Sequence, residues 1–242
     1  MRAHRVRVLL MGGQACLFYG AAEFSRDINF VLLANAANLT RLRGALDDLR
    51  AQPIAVPTLD LRSLRRGHAV HFRSMHPDAL RLRIDFMSRM RGVDTFESLW
   101  RRRTVIALGE EERCHLVSLP DLVKAKKTQR DKDWPMIRRL VEAHYFRHRA
   151  NRTPARVRFW LLELRTAELL HEVACAHPRT AARIGKSRDA VRFAKAGDLA
   201  GAEAALRAEE LGEREADRAH WKPLIAELAA MRRGRGLGRA AQ

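Results

Sequence analysis

The spacing of apolar residues changes partway along the chain. Before about residue 130, short apolar runs alternate with clusters of turn residues, which is the pattern of strands joined by loops. Residues 6–10, 28–33, 69–75, 80–86, 105–108 and 114–119 are expected strands. In the fourth of these, Leu80, Leu82, Ile84 and Phe86 alternate with Arg81, Arg83 and Asp85, so Asp85 belongs to the polar face of a half-buried strand. His76, Pro77 and Asp78 supply turn chemistry before it, and residues 109–113 form a polar turn. Leu39, Leu42, Leu46 and Leu49 repeat every three or four residues and predict a helix. Shorter helices are expected at 15–18, closed by Gly20, and at 96–100.

Beyond residue 130 the strand signals stop and only helical spacing remains. Trp134 and Pro135 open a helix through His144, and Thr153 and Pro154 start another that puts Val157, Trp160, Leu161 and Leu164 on one face. Pro178 ends that region, and further helices are expected at 180–195, 199–211 and 216–231. The Gly- and Arg-rich tail at 232–239 has no apolar period and is expected to be disordered. The pattern gives an α/β (α+β) chain: a mixed sheet with flanking helices over 1–150, a helical region over 151–231, and a basic tail over 232–242.

With 242 residues, 47% of them hydrophobic, the chain can bury a core without covalent staples. Cys16, Cys114 and Cys175 are widely separated and form neither a C-x-x-C motif nor a zinc spacing, which fits a reducing compartment. Gly12, Gly13 and Gln14 interrupt the early apolar run, so it does not read as a secretory leader. No run approaches the length of a membrane span, and a cytoplasmic protein is expected. The net charge of +18 favours a polyanionic partner such as RNA. Charge is densest over 121–152, where ten Lys or Arg face four Asp or Glu. His144 and His148 share helical spacing but have no carboxylate beside them, and read as part of a solvated basic face.

The chemistry concentrates in residues 11–30. Gly12 and Gly13 follow the first strand and open a helix, an arrangement that lets phosphate oxygens approach backbone N–H groups. Asp27 and Asn29 lie two apart on the next strand, so both side chains leave the same face. The set Gly12, Gly13, Ser25, Asp27 and Asn29 resembles the signature of the nucleotidyltransferase fold superfamily, in particular the AbiEii-like and minimal nucleotidyltransferase proteins of toxin–antitoxin systems. Asn29 stands where that signature has a second aspartate. Its amide oxygen can ligate a cation, but it carries no charge and cannot bridge two metals.

The resemblance implies a nucleotidyltransferase-type sheet and a magnesium- or manganese-dependent transfer of a nucleoside monophosphate from a nucleoside triphosphate to an RNA or protein acceptor. Asp27, Asn29 and Asp85 would be the catalytic and metal-ligating set. Gly12, Gly13 and Ser25 would border the nucleotide. Lys124, Lys127 and Asp131 are spaced for one face of the helix that Pro120 starts. By the same resemblance Lys124 or Lys127 would neutralise triphosphate charge, while Arg130, Lys132 and Asp133 would fix the following loop or touch the nucleotide. A partner protein, toxin or antitoxin, is also implied. Without the charge at position 29, the alternative is a module of this fold that binds nucleotide, RNA or a partner without catalysis.

Overall fold

A computed structural model describes residues 1–21, 25–110 and 112–240, with side chains described through 234. Glu111, inside the turn expected at 109–113, and tail residues 241 and 242 lie outside the described residues. The protein is mixed α/β. It divides into two compact units, one of Met1–Phe18, Ala22–Ala125 and Ala219–Gln242, the other of Tyr19–Ala21 and Lys126–Arg218. The sequence pattern placed its border near 150; the packing divides the chain after Ala125 and returns the end of the last helix to the first unit.

The first unit holds a seven-stranded sheet in the order β3-β4-β5-β2-β1-β7-β6. Its strands are β1 (Val8–Met11), β2 (Asp27–Leu32), β3 (Gln52–Pro53), β4 (Val70–Arg73), β5 (Arg83–Met87), β6 (Thr104–Ala107) and β7 (Arg113–Leu116). β1 pairs antiparallel with β2 and parallel with β7; β2 pairs parallel with β5, which pairs antiparallel with β4. Register and the two-residue period then divide the side chains between the faces. Val8, Phe30, Leu32, Val70, Phe72, Ile84 and Phe86 go to one face and pack with Leu39, Leu42, Ala45 and Leu46 of α2 (Ala36–Asp48) and Leu64 of α3 (Leu61–Arg66). Met11, Asp27, Asn29, His71, Arg83 and Asp85 go to the other.

Local signals set the ends of these helices. Asn35 caps α2 by accepting a hydrogen bond from the Asn38 amide, and Asp60 caps α3 by accepting from Ser63. The seven-residue α1 (Gly12–Phe18) lies against β1 and β2 and buries Ala15 and Cys16. α4 (Phe96–Arg101) buries Phe96 and Leu99. Strand β5 starts three residues later than expected, because Arg81 has φ 62° and turns the chain at Leu80–Leu82. The expected strand at 114–119 stops at Leu116, where Ser118 and Asp121 begin α5 (Leu119–Lys126).

The second unit is helical: α6 (Asp133–His148), α7 (Pro154–Glu163), α8 (Ala167–Ala176), α9 (Pro178–Ile184), α10 (Asp189–Lys195) and the start of α11 (Leu199–Ala240). The single helix expected at 180–195 is broken in two. Arg188, 8% exposed, donates to the carbonyls of Leu161 and Leu164 and to Glu209, and these bonds hold it outside a helix. The two helices expected at 199–211 and 216–231 are one. Arg214 pairs with Glu210, a contact that spans Gly212 on the helix surface, and Arg218 pairs with Glu215 in the next turn. The same helical backbone continues through Pro223 and across the Gly- and Arg-rich stretch to Ala240. Among the described residues no helix is long and apolar enough to cross a membrane.

Candidate functional site

The diglycine bend is shaped by side chains that press on it. Gly12 has φ +69°, and a Cβ there would lie 2.9 Å from Asn29 Nδ2 and 3.0 Å from Asn29 Cβ. A Cβ on Gly13 would lie 2.9 Å from Ser25 Cβ and closer still to Ser25 Oγ. Both positions therefore exclude larger residues, the first by conformation and space, the second by space. Gln14 Nε2 donates to the Ser25 carbonyl at 2.9 Å, and Ser25 Oγ donates to the Asp27 carbonyl at 3.2 Å. Gly12, Gly13, Ser25 and Asn29 are thus one packed corner at the start of α1.

The sheet brings the three expected ligand residues together. Asn29 lies opposite Asp85 and Asp27 opposite Arg83 in the parallel β2–β5 pair, so all four side chains emerge on one face. His71 lies opposite Asp85 on the other flank of β5 and emerges there too. Asp85 Oδ1 is 2.8 Å from His71 Nδ1 and accepts a hydrogen bond from Arg83 Nε at 3.0 Å. A carboxylate can only accept from the imidazole, so Nδ1 carries the proton. Arg83 Nη2, 3.2 Å from that same nitrogen, then finds no lone pair on it. Burial is the largest single influence on Asp85 and pushes its carboxyl up, but the hydrogen bonds and charges of His71 and Arg83 together outweigh it and hold the group below the usual range. The bond to Asp85 raises the Arg83 guanidinium, burial opposes this, and the fields of Asp85 and Asp27 add to the rise.

His71 and Arg83 were not among the residues singled out from the sequence. Arg83 was within reach, since it precedes Asp85 by two on an alternating strand. His71 was not, because only the register between β4 and β5 places it there.

The basic segment departs from expectation. Lys124 is an exposed residue of α5 in the first unit, but α5 ends at Lys126, so Lys127 and Asp131 do not continue its face. The cause is Asp133, 1% exposed, which accepts from Lys126 Nζ at 2.9 Å, Thr128 Oγ1 at 2.6 Å and Arg130 Nε at 2.8 Å and so folds residues 127–132 into a loop. Burial pushes the Asp133 carboxyl up, yet Lys126, Thr128 and Arg130 together hold it below the usual range. Lys127 is not a bare cation either, since its Nζ lies 2.9 Å from Glu163 Oε2. Lys132 is exposed. Lys127, Arg130, Lys132 and Asp133 all belong to the second unit.

His144 is a second correction, because it is not part of a solvated face. Trp160 Nε1 donates to its Nδ1 at 2.9 Å, and its ring stands 4.7 Å from that of His148 and 5.3 Å from Phe159. Burial, reinforced by His148, Arg156 and Arg147, pushes the His144 imidazole down to about 4.

Asp27, Asn29 and Asp85 offer two carboxylates and an amide oxygen on one face, a donor set suited to a single hard divalent cation. It does not suit two, since Asn29 cannot bridge and Asp85 Oδ1 is already engaged. Among the described residues no group of three or more His, Cys, Asp and Glu side chains is arranged to hold a metal ion. Compared with protein-family models and with curated proteins, the chain gives no match to either.

Proposed function

We propose that the first unit binds a nucleoside triphosphate beside Asp27, Asn29 and Asp85 on the polar face of β2 and β5 and transfers its nucleoside monophosphate to an acceptor hydroxyl. The observation that carries this reading is the convergence of Asp27, Asn29 and Asp85 on one face, with Asn29 also packed on the diglycine bend. Asp27 and Asp85, with the Asn29 amide oxygen, would hold one magnesium or manganese ion. When bound, such an ion polarises phosphate oxygens and helps ionise the attacking hydroxyl.

The chain's own residues supply position and charge. Gly12 and Gly13 add no side chain of their own at the bend, against which Asn29 and Ser25 pack, and phosphate oxygens would approach the backbone N–H groups there. His71 and Arg83 fix the Asp85 carboxylate in one orientation by two hydrogen bonds. The acceptor oxygen bonds to the α-phosphorus, the bond from that phosphorus to the β-phosphate bridging oxygen breaks, pyrophosphate leaves, and the hydroxyl proton passes to solvent. With a net charge of +18, RNA is the favoured acceptor, and a protein side chain is the other. Either would suit a role beside a toxin or antitoxin partner.

One observation favours a second reading. Asp85 already has His71 and Arg83 as partners, and position 29 has no charge, so the same face would also serve a module that holds nucleotide without turnover. Label transfer separates the two. Purified protein is incubated with magnesium or manganese, labelled nucleoside triphosphates, and total RNA or protein, beside Asp27→Ala and Asn29→Asp. Transfer lost in Asp27→Ala is the expected result; nucleotide binding with transfer only in Asn29→Asp would establish the non-catalytic module.

A further inference from the structure

We infer that Arg83 takes the place of a second metal ion at this site, so that the triphosphate is held by one divalent cation and one guanidinium. The inference rests on the nucleotide-binding reading of the β2–β5 face. Two-cation phosphoryl-transfer sites hold their ions about 3.5–4 Å apart, and that proximity needs enough carboxylate charge to offset the repulsion between them. This face has two carboxylates among its described residues, Asp27 and Asp85, and a neutral amide, Asn29, directly across from Asp85.

Positive charge is nevertheless built in. Arg83 lies across from Asp27 and diagonal to Asn29, on the same face. Its Nε is spent on Asp85 Oδ1, which fixes the plane of the guanidinium. Its side chain is 43% exposed, and the proton on His71 Nδ1 denies Nη2 an acceptor there. Among the described residues no other acceptor is bonded to Arg83. The outer edge of the guanidinium is therefore left with donors toward open space beside two carboxylates, and a planar fork of this kind matches two phosphate oxygens.

The arrangement also accounts for His71. Without it, Arg83 would be the sole partner of Asp85 and would close over the carboxylate. With His71 on the same oxygen, Asp85 Oδ2 has no bonded partner among the described residues and is left as a cation ligand.

The test counts metal and measures nucleotide on the same samples. Wild-type protein, Arg83→Met, Arg83→Lys, Asn29→Asp, the Asn29→Asp/Arg83→Met double variant and Asp27→Ala are equilibrated with Mn2+ and each of four α,β-methylene nucleoside triphosphates. Bound nucleotide is read by dialysis and bound Mn2+ by electron paramagnetic resonance, with circular dichroism confirming that each variant is folded. The expected result is one Mn2+ per bound nucleotide in the wild type, nucleotide affinity at least tenfold weaker in Arg83→Met with partial return in Arg83→Lys, and two Mn2+ in the double variant. Two Mn2+ in the wild type, or an Arg83→Met affinity within twofold of wild type, would overturn the inference while leaving the nucleotide site in place. Absence of nucleotide binding in the wild type, or binding indifferent to Asp27→Ala, would remove the reading beneath it and the inference together.

Discussion

Replacing Gly12 by alanine tests whether the diglycine corner is built as described. The substitution brings two separable costs. At φ +69° an L-residue adopts the left-handed region, which costs about 1–2 kcal/mol. The new methyl would also lie 2.9–3.1 Å from Nδ2, Cβ and Cγ of Asn29. Asn29 cannot easily retreat, since its backbone is paired with Met11 on one side and Asp85 on the other. Overpacking of this kind costs about 1–3 kcal/mol, so the total is about 2–5 kcal/mol. Urea denaturation of Gly12→Ala, Asn29→Gly and the double variant separates the terms. The contact cost should appear as a coupling energy of about 1–3 kcal/mol, while the conformational cost persists in the double variant. A Gly12→Ala protein that unfolds at the wild-type urea midpoint, or a coupling below about 0.5 kcal/mol, would refute the geometry of the corner.

Two further expectations concern the second unit. Asp133→Ala removes the carboxylate on which Lys126, Thr128 and Arg130 converge and strands a largely buried ammonium, so it should destabilise by about 3–5 kcal/mol; thermal unfolding at the wild-type midpoint would contradict this. His144, held at about 4 against an ordinary value near 6.5, is bound neutral in the fold. Its contribution is complete above pH 6.5 and is lost as pH falls from 6.5 to 4, because the unfolded chain takes up the proton first. After allowance for solvent around a half-buried ring, the loss should be about 1–2 kcal/mol. His144→Phe should flatten the denaturation profile across that pH window, and an unchanged slope would contradict the assignment.

Much of the site was legible because strand geometry has a short period. Asp27 and Asn29 share a face by being two apart, and alternation around Asp85 gave its polar face. What alternation could not give was register between strands distant in sequence, and so it could not place His71 beside Asp85. The helical region misled for a different reason. His144 was read as solvated, Asp133 was expected to fix a loop or touch the nucleotide, and Arg188 drew no reading, yet each is wholly or partly buried and hydrogen-bonded. Their partners Leu161, Lys126 and Trp160 are seven to twenty-seven residues away, and no local pattern marks such pairs. The break at 185–188 and the end of α5 at Lys126 follow from those bonds. The helices expected at 199–211 and 216–231 are one for a similar reason, since the Glu210–Arg214 pair that bridges the gap is visible only once the helix is assumed.

The most direct test of the account is crystallographic. Crystals grown with Mn2+ and a non-hydrolysable nucleoside triphosphate should show one anomalous peak within about 2.3 Å of a carboxylate oxygen on each of Asp27 and Asp85, with triphosphate oxygens on the Arg83 side of it. A nucleotide found elsewhere on the protein, or Mn2+ absent from that face while the nucleotide is bound, would contradict it.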